Sequence, residues 1–562
     1  MLGLMQDWPL TTGRILDHAA RYHGARPVRS RLTAGAETGE IVTTDWQTLR
    51  HRTLCLAQAL RRLGIGEGTV VGGMAWNTAR HLEAWYAVPG VGGVWHTLNP
   101  RLGPDQLAYI AGHAGDRWLV FDADLAPVIA ALAPRLDGLR GLIVLGPWIP
   151  DEIAALGLDA HAAEALIAAE DGDTAWTAVD ERAACGICYT SGTTGAPKGV
   201  VYSHRSNVLH AMSMIQPDML GLASRDTLMP VVPFFHANGW CTAYAGPMAG
   251  ASMVLPGRQL DPASLCGMMD LGVTVSAAVP TVWLPLLAHL RGEGRGLPTL
   301  ERVVIGGSAC PRAVIEAFQN DYGVRVLHAW GMTETSPLGT ICSEKPEIAA
   351  LEAGRRLDMQ ETVGHPPFTV DMRTVDDAGA ELPRTAVAGT GPEGDAPPQP
   401  GRLQIRGPGV VGRYLGHEEP AIDAEGWFDT GDAATIDQSG YVRITDRFKD
   451  VIKSGGEWIS SIDLENAALK HPGVAEAAAV AVAHERWGER PVLLVVPSPG
   501  AEPVPEEIIA TLAPRFARWQ LPDEVLIVDS LPHTATGKLA KRTIREDMAA
   551  RGYRHPDLRG AS

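Results

Sequence analysis

Apolar residues recur along the first part of the chain in two alternating spacings, one typical of helices and one typical of strands. Residues 45–63 carry apolar positions at helical spacing and begin with Asp45, a residue type that caps helices. Short apolar runs follow at residues 69–74 and 118–121, with a second helical pattern at residues 78–88. Strands that alternate with helices of this length predict βαβ units and parallel sheets.

The same alternation continues as far as residue 305. The spacing predicts further helices at residues 106–113 and 281–290, and further strands at residues 141–146, 273–279 and 302–305. We therefore predict an α/β protein whose large N-terminal domain contains parallel or mixed sheets flanked by helices.

The pattern changes in the second part of the chain. Residues 383–401 are rich in proline, glycine and alanine, which predicts a flexible surface loop or insertion. A charged segment then precedes a compact α+β pattern. We predict an N-terminal domain of residues 1–446 and a small, mobile C-terminal domain of residues 447–562.

The chain is long enough for more than one domain and is acidic overall. It has 562 residues, with 48 Lys+Arg against 65 Asp+Glu and a formal net charge of −17. This balance argues against sequence-independent nucleic-acid binding, which needs a basic surface. No apolar run is long enough to predict a transmembrane segment, and the N-terminus lacks the pattern of a secretion signal. We therefore expect a cytoplasmic protein.

Two of the seven cysteines, Cys185 and Cys188, form a C-x-x-C pattern. No second Cys or His pair lies at the spacing of a zinc site, so we interpret them as small apolar residues of a buried strand.

The strongest chemical signal is the segment YTSGTTGAPKGV at residues 189–200. It follows an apolar strand, and its residues 191–198 combine three hydroxyl side chains, two glycines and Lys198. Glycines let the backbone approach a ligand, the hydroxyls donate to phosphate oxygens, and the lysine adds positive charge. A linker of similar composition is the alternative, but linkers rarely lie between two apolar segments. The segment predicts a polyphosphate site. It is not a Walker A loop, because Lys198 is followed by Gly199 rather than Ser or Thr.

With six further motifs in order, the segment resembles the adenylate-forming enzymes, which include acyl-CoA synthetases, adenylation domains of peptide synthetases and firefly luciferase. The further motifs are FHANGW at 235–240, GGSACP at 306–311, WGMTETSP at 330–337, WFDTGD at 427–432, DRFK at 446–449 and PHTATGK at 532–538. The resemblance covers nearly the whole chain.

The resemblance implies that the protein binds ATP. The residues that it assigns to the nucleotide are Thr190, Ser191, Gly192, Thr193, Thr194, Gly195, Lys198, Gly307, Ser308, Ala309, Trp330, Gly331, Asp432 and Arg447. Among these, the Asp432 carboxylate offers two acceptor oxygens for the ribose hydroxyls, although an aspartate in such a turn can also cap its own backbone.

The resemblance also assigns the chemistry. Forming an acyl adenylate requires a carboxylate to attack the α-phosphorus of ATP, so cations and donors must offset the negative charge there. The implied catalytic residues are Lys538, Thr333, Glu334 and His236, with Glu334 as the ligand of Mg²⁺. A glutamate or lysine taken alone is more often a surface charge, and a core histidine is the alternative for His236; the ordered occurrence of the motifs favours catalysis.

The acyl and CoA sites are assigned in the same way, and Lys449 is the implied hinge between two half-reactions. The implied acyl and CoA residues are Trp240, Gly306, Pro337, Ser454, Gly455, Gly456, Glu457 and Trp458. Plain core packing is the alternative for Trp240. Acetyl-CoA synthetases have a His-Arg pair where this chain has Gly456 and Glu457, so their contacts to the phosphates of CoA are not carried over.

Within the superfamily the chain is most similar to bacterial medium- and long-chain fatty acyl-CoA synthetases and to methylmercaptopropionate-CoA ligases. Residues 231–240 and 306–310 contain no Lys or Arg, so we expect an acid with a largely apolar tail. ATP, Mg²⁺ and CoA are the implied cosubstrates, and a homodimer is the family expectation. An enzyme for one half-reaction, a ligase of a specialised acid and a non-catalytic homologue remain alternatives.

Overall fold

A computed structural model describes the chain outside residues 2, 34–38, 191–195, 387–399, 456, 534–538 and 554–562, and outside the side chain of residue 457. The chain divides into two compact units. The first consists of Met1–Asp371 and Arg406–Phe428, and the second of Met372–Ile405 and Asp429–Ser562.

Fifteen strands belong to the described part of the first unit. They are β1 (Pro27–Arg31), β2 (Ile41–Asp45), β3 (Val70–Met74), β4 (Val94–Thr97), β5 (Trp118–Asp122), β6 (Gly141–Leu145), β7 (Asp159–Ala162), β8 (Ala184–Thr190), β9 (Lys198–Ser203), β10 (Thr227–Pro230), β11 (Ser252–Leu255), β12 (Val275–Ala278), β13 (Arg302–Ile305), β14 (Arg325–Gly331) and β15 (Leu338–Ile341).

Fourteen α-helices of the same described part flank these strands. They are α1 (Gly13–His23), α2 (Trp46–Arg62), α3 (Ala79–Gly90), α4 (Pro104–Ala114), α5 (Ala126–Leu132), α6 (Asp151–Ala154), α7 (Ala163–Ala168), α8 (His204–Met214), α9 (Thr242–Ala249), α10 (Pro262–Met269), α11 (Pro280–Glu293), α12 (Arg312–Glu316), α13 (Pro346–Ala349) and α14 (Ala353–Gln360).

The strands of the first unit form two large mixed sheets. One has the order β15-β14-β13-β12-β10-β11-β1-β2, and the other has the order β7-β6-β5-β3-β4-β8-β9. Their inner neighbours are parallel, whereas the edge pairs β1–β2, β14–β15 and β8–β9 are antiparallel. The predicted α/β class with mixed sheets and flanking helices is confirmed.

The predicted helix at residues 45–63 is α2. Asp45 is its N-cap, and its carboxylate accepts a hydrogen bond of 2.7 Å from the backbone N–H of Thr48. Trp46 and Tyr86 are fully buried, and each polar atom has a backbone acceptor: Nε1 of Trp46 donates to the carbonyl of Ala251, and the Tyr86 hydroxyl donates to the carbonyl of Ala243. These contacts join α2 and α3 to the interior of the unit.

Cys185 and Cys188 lie in β8 and are both buried. The side-chain amide of Asn207 donates to Sγ of Cys185 at 3.2 Å. The interpretation as buried strand residues is therefore confirmed.

The second unit contains two smaller sheets. Its elements are β16 (Asp371–Val375), β17 (Gly401–Arg406), β18 (Phe428–Ile436), β19 (Val442–Arg447), β20 (Ile452–Ser454), β21 (Glu457–Ile459), α15 (Ser461–Ala468), β22 (Val474–His484), β23 (Gly488–Pro497), α16 (Pro505–Leu512), β24 (Glu524–Ile527) and α17 (Lys541–Ala550). One sheet has the order β16-β17-β18-β19; the other has the order β21-β20-β23-β22, with β24 paired to β23.

The second unit begins earlier in the chain than the predicted boundary at residues 446/447, because β16–β19 pair with one another in one sheet. The role of that boundary as a hinge stays a prediction. Most of the predicted loop at 383–401 lies outside the described residues. Among the helices that are described, none is both long and apolar enough to cross a membrane.

Candidate active site

The segment predicted to bind phosphates joins two antiparallel strands. Thr190 at the end of β8 pairs with Lys198 at the start of β9, so the two ends of the loop lie side by side. Ser191, Gly192, Thr193, Thr194 and Gly195 lie outside the described residues. The strand pairing fixes where the loop begins and ends, and it brings Lys198 next to Thr190.

Tyr189 supports the base of this loop. Its hydroxyl is hydrogen-bonded to Nδ1 of His113 at 2.6 Å, and its ring packs on the ring of His96. His96 is in turn hydrogen-bonded to the buried carboxylate of Asp116 at 2.8 Å. Burial raises the pKa of Tyr189, so the phenol keeps its proton at neutral pH. No motif in the sequence indicated His113 as a neighbour of the loop, because it lies far from the loop along the chain.

Two predicted motifs lie at the carboxyl ends of adjacent parallel strands. Gly306 directly follows β13, and Gly331 ends β14, which is parallel to β13. Such sheet edges are where ligands bind in α/β proteins. Gly307, Ser308 and Ala309, which are predicted to lie on the adenine side, continue from Gly306, and Trp330 is buried within β14.

Thr333 and Glu334 form a short 3-10 turn between β14 and β15, and both are buried. The Tyr202 hydroxyl donates to the carbonyl of Thr333 at 2.6 Å, and the backbone N–H of Val411 donates to the carbonyl of Glu334 at 2.8 Å. Pro337 follows immediately and leads into β15. The turn is therefore held from two sides.

The Glu334 carboxylate also has a side-chain donor. The Tyr414 hydroxyl donates to its Oε1 at 2.9 Å, and the Lys198 ammonium lies 4.7 Å from the centroid of the Tyr414 ring. Burial and the neighbouring Glu334 carboxylate raise the pKa of Tyr414. Tyr414 was not among the predicted site residues, although the four glycines of residues 406–416 mark a loop there.

Glu334 suits a magnesium ion that arrives with a nucleotide. In the described part of the chain, no group of three His, Cys, Asp or Glu residues could hold a metal ion by itself. Mg²⁺ commonly keeps several waters and binds one or two carboxylates together with substrate phosphates. One buried carboxylate beside a predicted phosphate loop therefore fits MgATP as a substrate.

The segment that contains His236 and Trp240 has an unusual backbone. Five consecutive residues, 237–241, have positive φ angles between 44° and 67°, and four of them are not glycine. A left-handed conformation costs about 1–2 kcal/mol for each non-glycine residue. Asn77, which the sequence did not single out, braces the preceding residues: its amide donates to the carbonyls of Pro230 and Val232, each at 2.8 Å.

Trp240 is 6% exposed, and its ring reaches the backbone of Gly306. A Cβ atom added to Gly306 would lie 3.3 Å from Cη2 of Trp240 and 2.7 Å from the carbonyl oxygen of Ala329. The two predicted acyl-site residues are thus in direct proximity. This contact fits both a pocket wall and core packing.

In the second unit, Asp432 and Arg447 are paired residues of β18 and β19. Nε of Arg447 lies 2.9 Å from Oδ1 of Asp432, whose side chain is 3% exposed. In the same turn, Oδ1 of Asp429 accepts a hydrogen bond from the backbone N–H of Gly431 at 2.9 Å.

The remaining predicted residues of the second unit lie near a short hairpin. Ser454 ends β20, the backbone N–H of Gly455 donates to the carbonyl of Trp487 at 2.8 Å, and Trp458 in β21 packs edge-on against Phe448, with ring centroids 5.2 Å apart. Lys449 is exposed and follows β19, and Glu457 lies in β21. Gly456 and Lys538 lie outside the described residues.

Residues 16–415 match the family of AMP-binding enzymes. The chain belongs to this family. Residues 463–538 match the C-terminal domain of AMP-binding enzymes. The resemblance predicted from the motifs is therefore confirmed.

Curated relatives of similar length carry acyl-CoA ligase names. The chain is 44% identical to 3-methylmercaptopropionyl-CoA ligase of Ruegeria lacuscaerulensis, over 98% of this chain and 99% of the relative. It is 43% identical to a medium-chain-fatty-acid–CoA ligase of Ectopseudomonas oleovorans, over 97% of each chain. The corresponding value for a long-chain-fatty-acid–CoA ligase of Thermus thermophilus is 44%, over 96% of each chain.

The fold is also similar to solved structures. The anthranilate CoA ligase AuaEII in complex with anthranoyl-AMP matches with a TM-score of 0.83 and 21% identity, over 98% of this chain and 100% of that chain. ATP-bound MatB from Rhodopseudomonas palustris matches with a TM-score of 0.78 and 24% identity, over 97% of this chain and 100% of that chain. At this identity the likeness establishes the fold.

Proposed function

We propose that this enzyme is an AMP-forming acyl-CoA ligase that activates a carboxylic acid with a largely apolar tail. ATP, Mg²⁺ and CoA are its cosubstrates. The acid first becomes an acyl adenylate with release of pyrophosphate, and CoA then displaces AMP to form the thioester. The acyl-CoA ligase names of relatives at 43–44% identity support the reaction class.

One structural observation carries the proposal. Lys198 at the start of β9 and Glu334 in the turn after β14 both contact Tyr414, the lysine at the ring and the glutamate at the hydroxyl. A cation and a buried carboxylate are thereby brought together beside one loop. This combination suits a magnesium–polyphosphate ligand, because the lysine can neutralise phosphate oxygens while the carboxylate binds the metal.

In the first step, an oxygen of the acid attacks the α-phosphorus, and the bond from that phosphorus to pyrophosphate breaks. Thr333 donates to the α-phosphate, Lys198 neutralises negative charge, and Lys538 approaches the junction between carboxylate and phosphate as a point charge. Asp432, oriented by Arg447, accepts from the ribose hydroxyls. Mg²⁺, bound with ATP, offsets the charge of the phosphates.

In the second step, the CoA sulfur attacks the acyl carbonyl carbon, and the bond to AMP breaks. The hairpin that contains Ser454, Gly455 and Trp458 is the proposed support for the pantetheine arm, and Lys449 is the proposed pivot that exchanges this hairpin for Lys538. His236 borders the acyl carboxylate. Trp240 and Gly306 line the entrance for the tail.

The substrate class follows from the side chains near the predicted acyl residues. Phe234 and Trp240 are buried, and the segments at 231–240 and 306–310 contain no Lys or Arg. A charged tail there would be left without a partner, at a cost of several kcal/mol. Medium-chain fatty acids and short thioether acids both satisfy this requirement, in agreement with the names of the relatives.

A panel of acids tests the proposal. Saturated acids of graded length, a methylthio acid, an aromatic acid and a dicarboxylic acid are each incubated with ATP, Mg²⁺ and CoA, and AMP release is measured. We expect release with the apolar acids and little with the dicarboxylic acid. Absence of acid-dependent AMP release across the panel would contradict the proposal.

The proposal also covers the location and the oligomeric state of the protein. We propose a cytoplasmic location, where ATP and CoA are available, and a homodimer, as the family resemblance implies. Sedimentation across a range of protein concentrations tests the second expectation, and a mass equal to one chain at all concentrations would contradict it.

A further inference from the structure

Tyr414 contacts both charged residues that flank the phosphate loop. Its hydroxyl donates to Oε1 of Glu334 at 2.9 Å, and its ring lies under the Lys198 ammonium, 4.7 Å from the nitrogen to the ring centroid. The tyrosine is half-buried, the glutamate is buried and the lysine is exposed. One side chain thus links a carboxylate at one strand end to a cation at another.

The backbone around Tyr414 is held against the same two elements. The N–H of Leu415 donates to the carbonyl of Gly199 at 2.9 Å, and the N–H of Val411 donates to the carbonyl of Glu334 at 2.8 Å. A Cβ atom at Gly199 would lie 3.1 Å from Cβ of Leu415, so the approach of the two segments is close. The ring therefore cannot shift far from either charge.

The Tyr414 hydroxyl restrains the orientation of the Glu334 carboxylate. The terminal torsion of a glutamate is broad, so its carboxylate plane is set by hydrogen-bond donors rather than by its own rotamer. A donor on Oε1 restrains that plane. Groups that orient a metal ligand in this way commonly change metal affinity by about 10–100-fold when they are removed.

The Tyr414 ring binds the Lys198 ammonium weakly, through a cation–π interaction. A cation over an exposed aromatic face gains less than it gains from a charge-assisted hydrogen bond to a phosphate. The ammonium can therefore rest on the ring before the nucleotide binds and move to a phosphate oxygen afterwards.

We propose that Tyr414 is a positioning residue for the nucleotide: its hydroxyl orients Glu334 toward magnesium, and its ring keeps Lys198 near the phosphate loop. This inference rests on the proposed function. Tyr414 reaches the substrate only through these two residues, so its removal affects the first half-reaction and leaves the second largely intact.

The test compares Tyr414→Phe, which removes only the hydroxyl, with Tyr414→Leu, which also removes the ring. Tyr22→Phe is the matched control, because Tyr22 is an exposed tyrosine of α1. Acid-dependent ATP–pyrophosphate exchange is measured against Mg²⁺ concentration, thioester formation is measured from supplied acyl-AMP, and the binding of ATP at several Mg²⁺ concentrations is measured by calorimetry.

For Tyr414→Phe we expect the Mg²⁺ concentration at half-maximal exchange to rise about 10-fold, with a matching weakening of Mg²⁺-dependent ATP binding. For Tyr414→Leu we expect a further rise of about 3-fold in the KM for ATP, because the cation–π contact of Lys198 is lost. Thioester formation from acyl-AMP stays within about 2-fold of the wild-type rate. The control matches wild type throughout.

Two results would overturn the inference. One is wild-type Mg²⁺ dependence in Tyr414→Phe; the other is an equal loss of both half-reactions with a lowered unfolding temperature, which indicates a packing role. If the wild-type protein itself lacks exchange, the proposed function fails, and calorimetry alone then decides the inference by whether Tyr414→Phe weakens Mg²⁺-dependent ATP binding.

Discussion

The indole of Trp240 ends against the backbone of Gly306, with only 3.3 Å between Cη2 and the position that a Cβ atom of residue 306 would occupy. In the proposed acyl site, this pair limits the width of the entrance for the acyl tail. A smaller residue in place of Trp240 should widen the entrance, and a larger residue in place of Gly306 should narrow it.

Trp240→Ala should broaden the range of accepted acids. Removing the indole opens space beside Gly306, so we expect kcat/KM for branched or aromatic acids to rise about 10-fold relative to straight-chain acids, at the lower end of what one methylene-sized contact contributes. Competition between paired acids, read by mass spectrometry of the CoA products, measures this ratio.

The reverse variant, Gly306→Ala, places a Cβ atom 3.3 Å from the indole and 2.7 Å from the carbonyl oxygen of Ala329, so it should lower the same ratio and also lower the stability of the fold. Unchanged selectivity in both variants would indicate that Trp240 is a core packing residue. Because removal of a large buried side chain commonly costs about 3–5 kcal/mol, the unfolding temperature of each variant is measured in parallel.

Lys538→Ala should separate the two half-reactions. The ammonium offsets charge that develops at the α-phosphorus, so we expect acid-dependent ATP–pyrophosphate exchange to fall about 100-fold or more, within the range for removal of one electrostatic donor. Thioester formation from supplied acyl-AMP should be retained. Lys470→Ala, at an exposed lysine just beyond α15, is the control. Equal loss of both half-reactions would refute the assignment.

Asp432→Asn should weaken ATP binding. The change keeps the shape of the side chain but removes the charge that faces Arg447, and hydrogen bonds to charged groups contribute about 1.5–3 kcal/mol each, so we expect the KM for ATP to rise at least about 10-fold. Asp429→Asn is the matched control, because Asp429 is also paired with an arginine, Arg402, beside the same strand. A similar rise in both variants would argue against a specific ribose contact.

Three buried histidines should make the protein sensitive to acid. Burial lowers the pKa of His81 and His204 to about 4 and that of His210 to about 3, from 6.5 in the unfolded chain. The unfolded state therefore binds protons that the native state excludes, and the free energy of unfolding falls as the pH drops below 6.5. Near pH 5 each of these histidines lowers the free energy of unfolding by about 2 kcal/mol relative to neutral pH.

His210→Leu removes one of these groups. We expect the fall in the free energy of unfolding between neutral pH and about pH 5 to be about 2 kcal/mol smaller in this variant, as measured by urea unfolding. His289→Leu, at a partly exposed histidine of α11, is the control and should follow wild type. Identical pH dependence in all three proteins would show that His210 does not titrate as described.

Local signals in the sequence predicted much of the first unit. Asp45 marked the start of α2, and the loop after β8 was recognised from its own composition, because caps and glycine-rich loops are encoded by neighbouring residues. Tyr414 was missed because it lies 80 residues beyond its partner Glu334, and nothing local records that contact. The pairing of β16–β19 escaped prediction for the same reason: strand register depends on segments that are distant along the chain.

The left-handed run at residues 237–241 has a consequence for anyone who wishes to redesign substrate choice. Because four non-glycine residues already adopt backbone angles that β-branched side chains tolerate poorly, randomising this stretch would fill a mutant library with misfolded clones. Diversity is better introduced at Ala329, a residue of β14 whose carbonyl oxygen adjoins Gly306 and whose own backbone is extended.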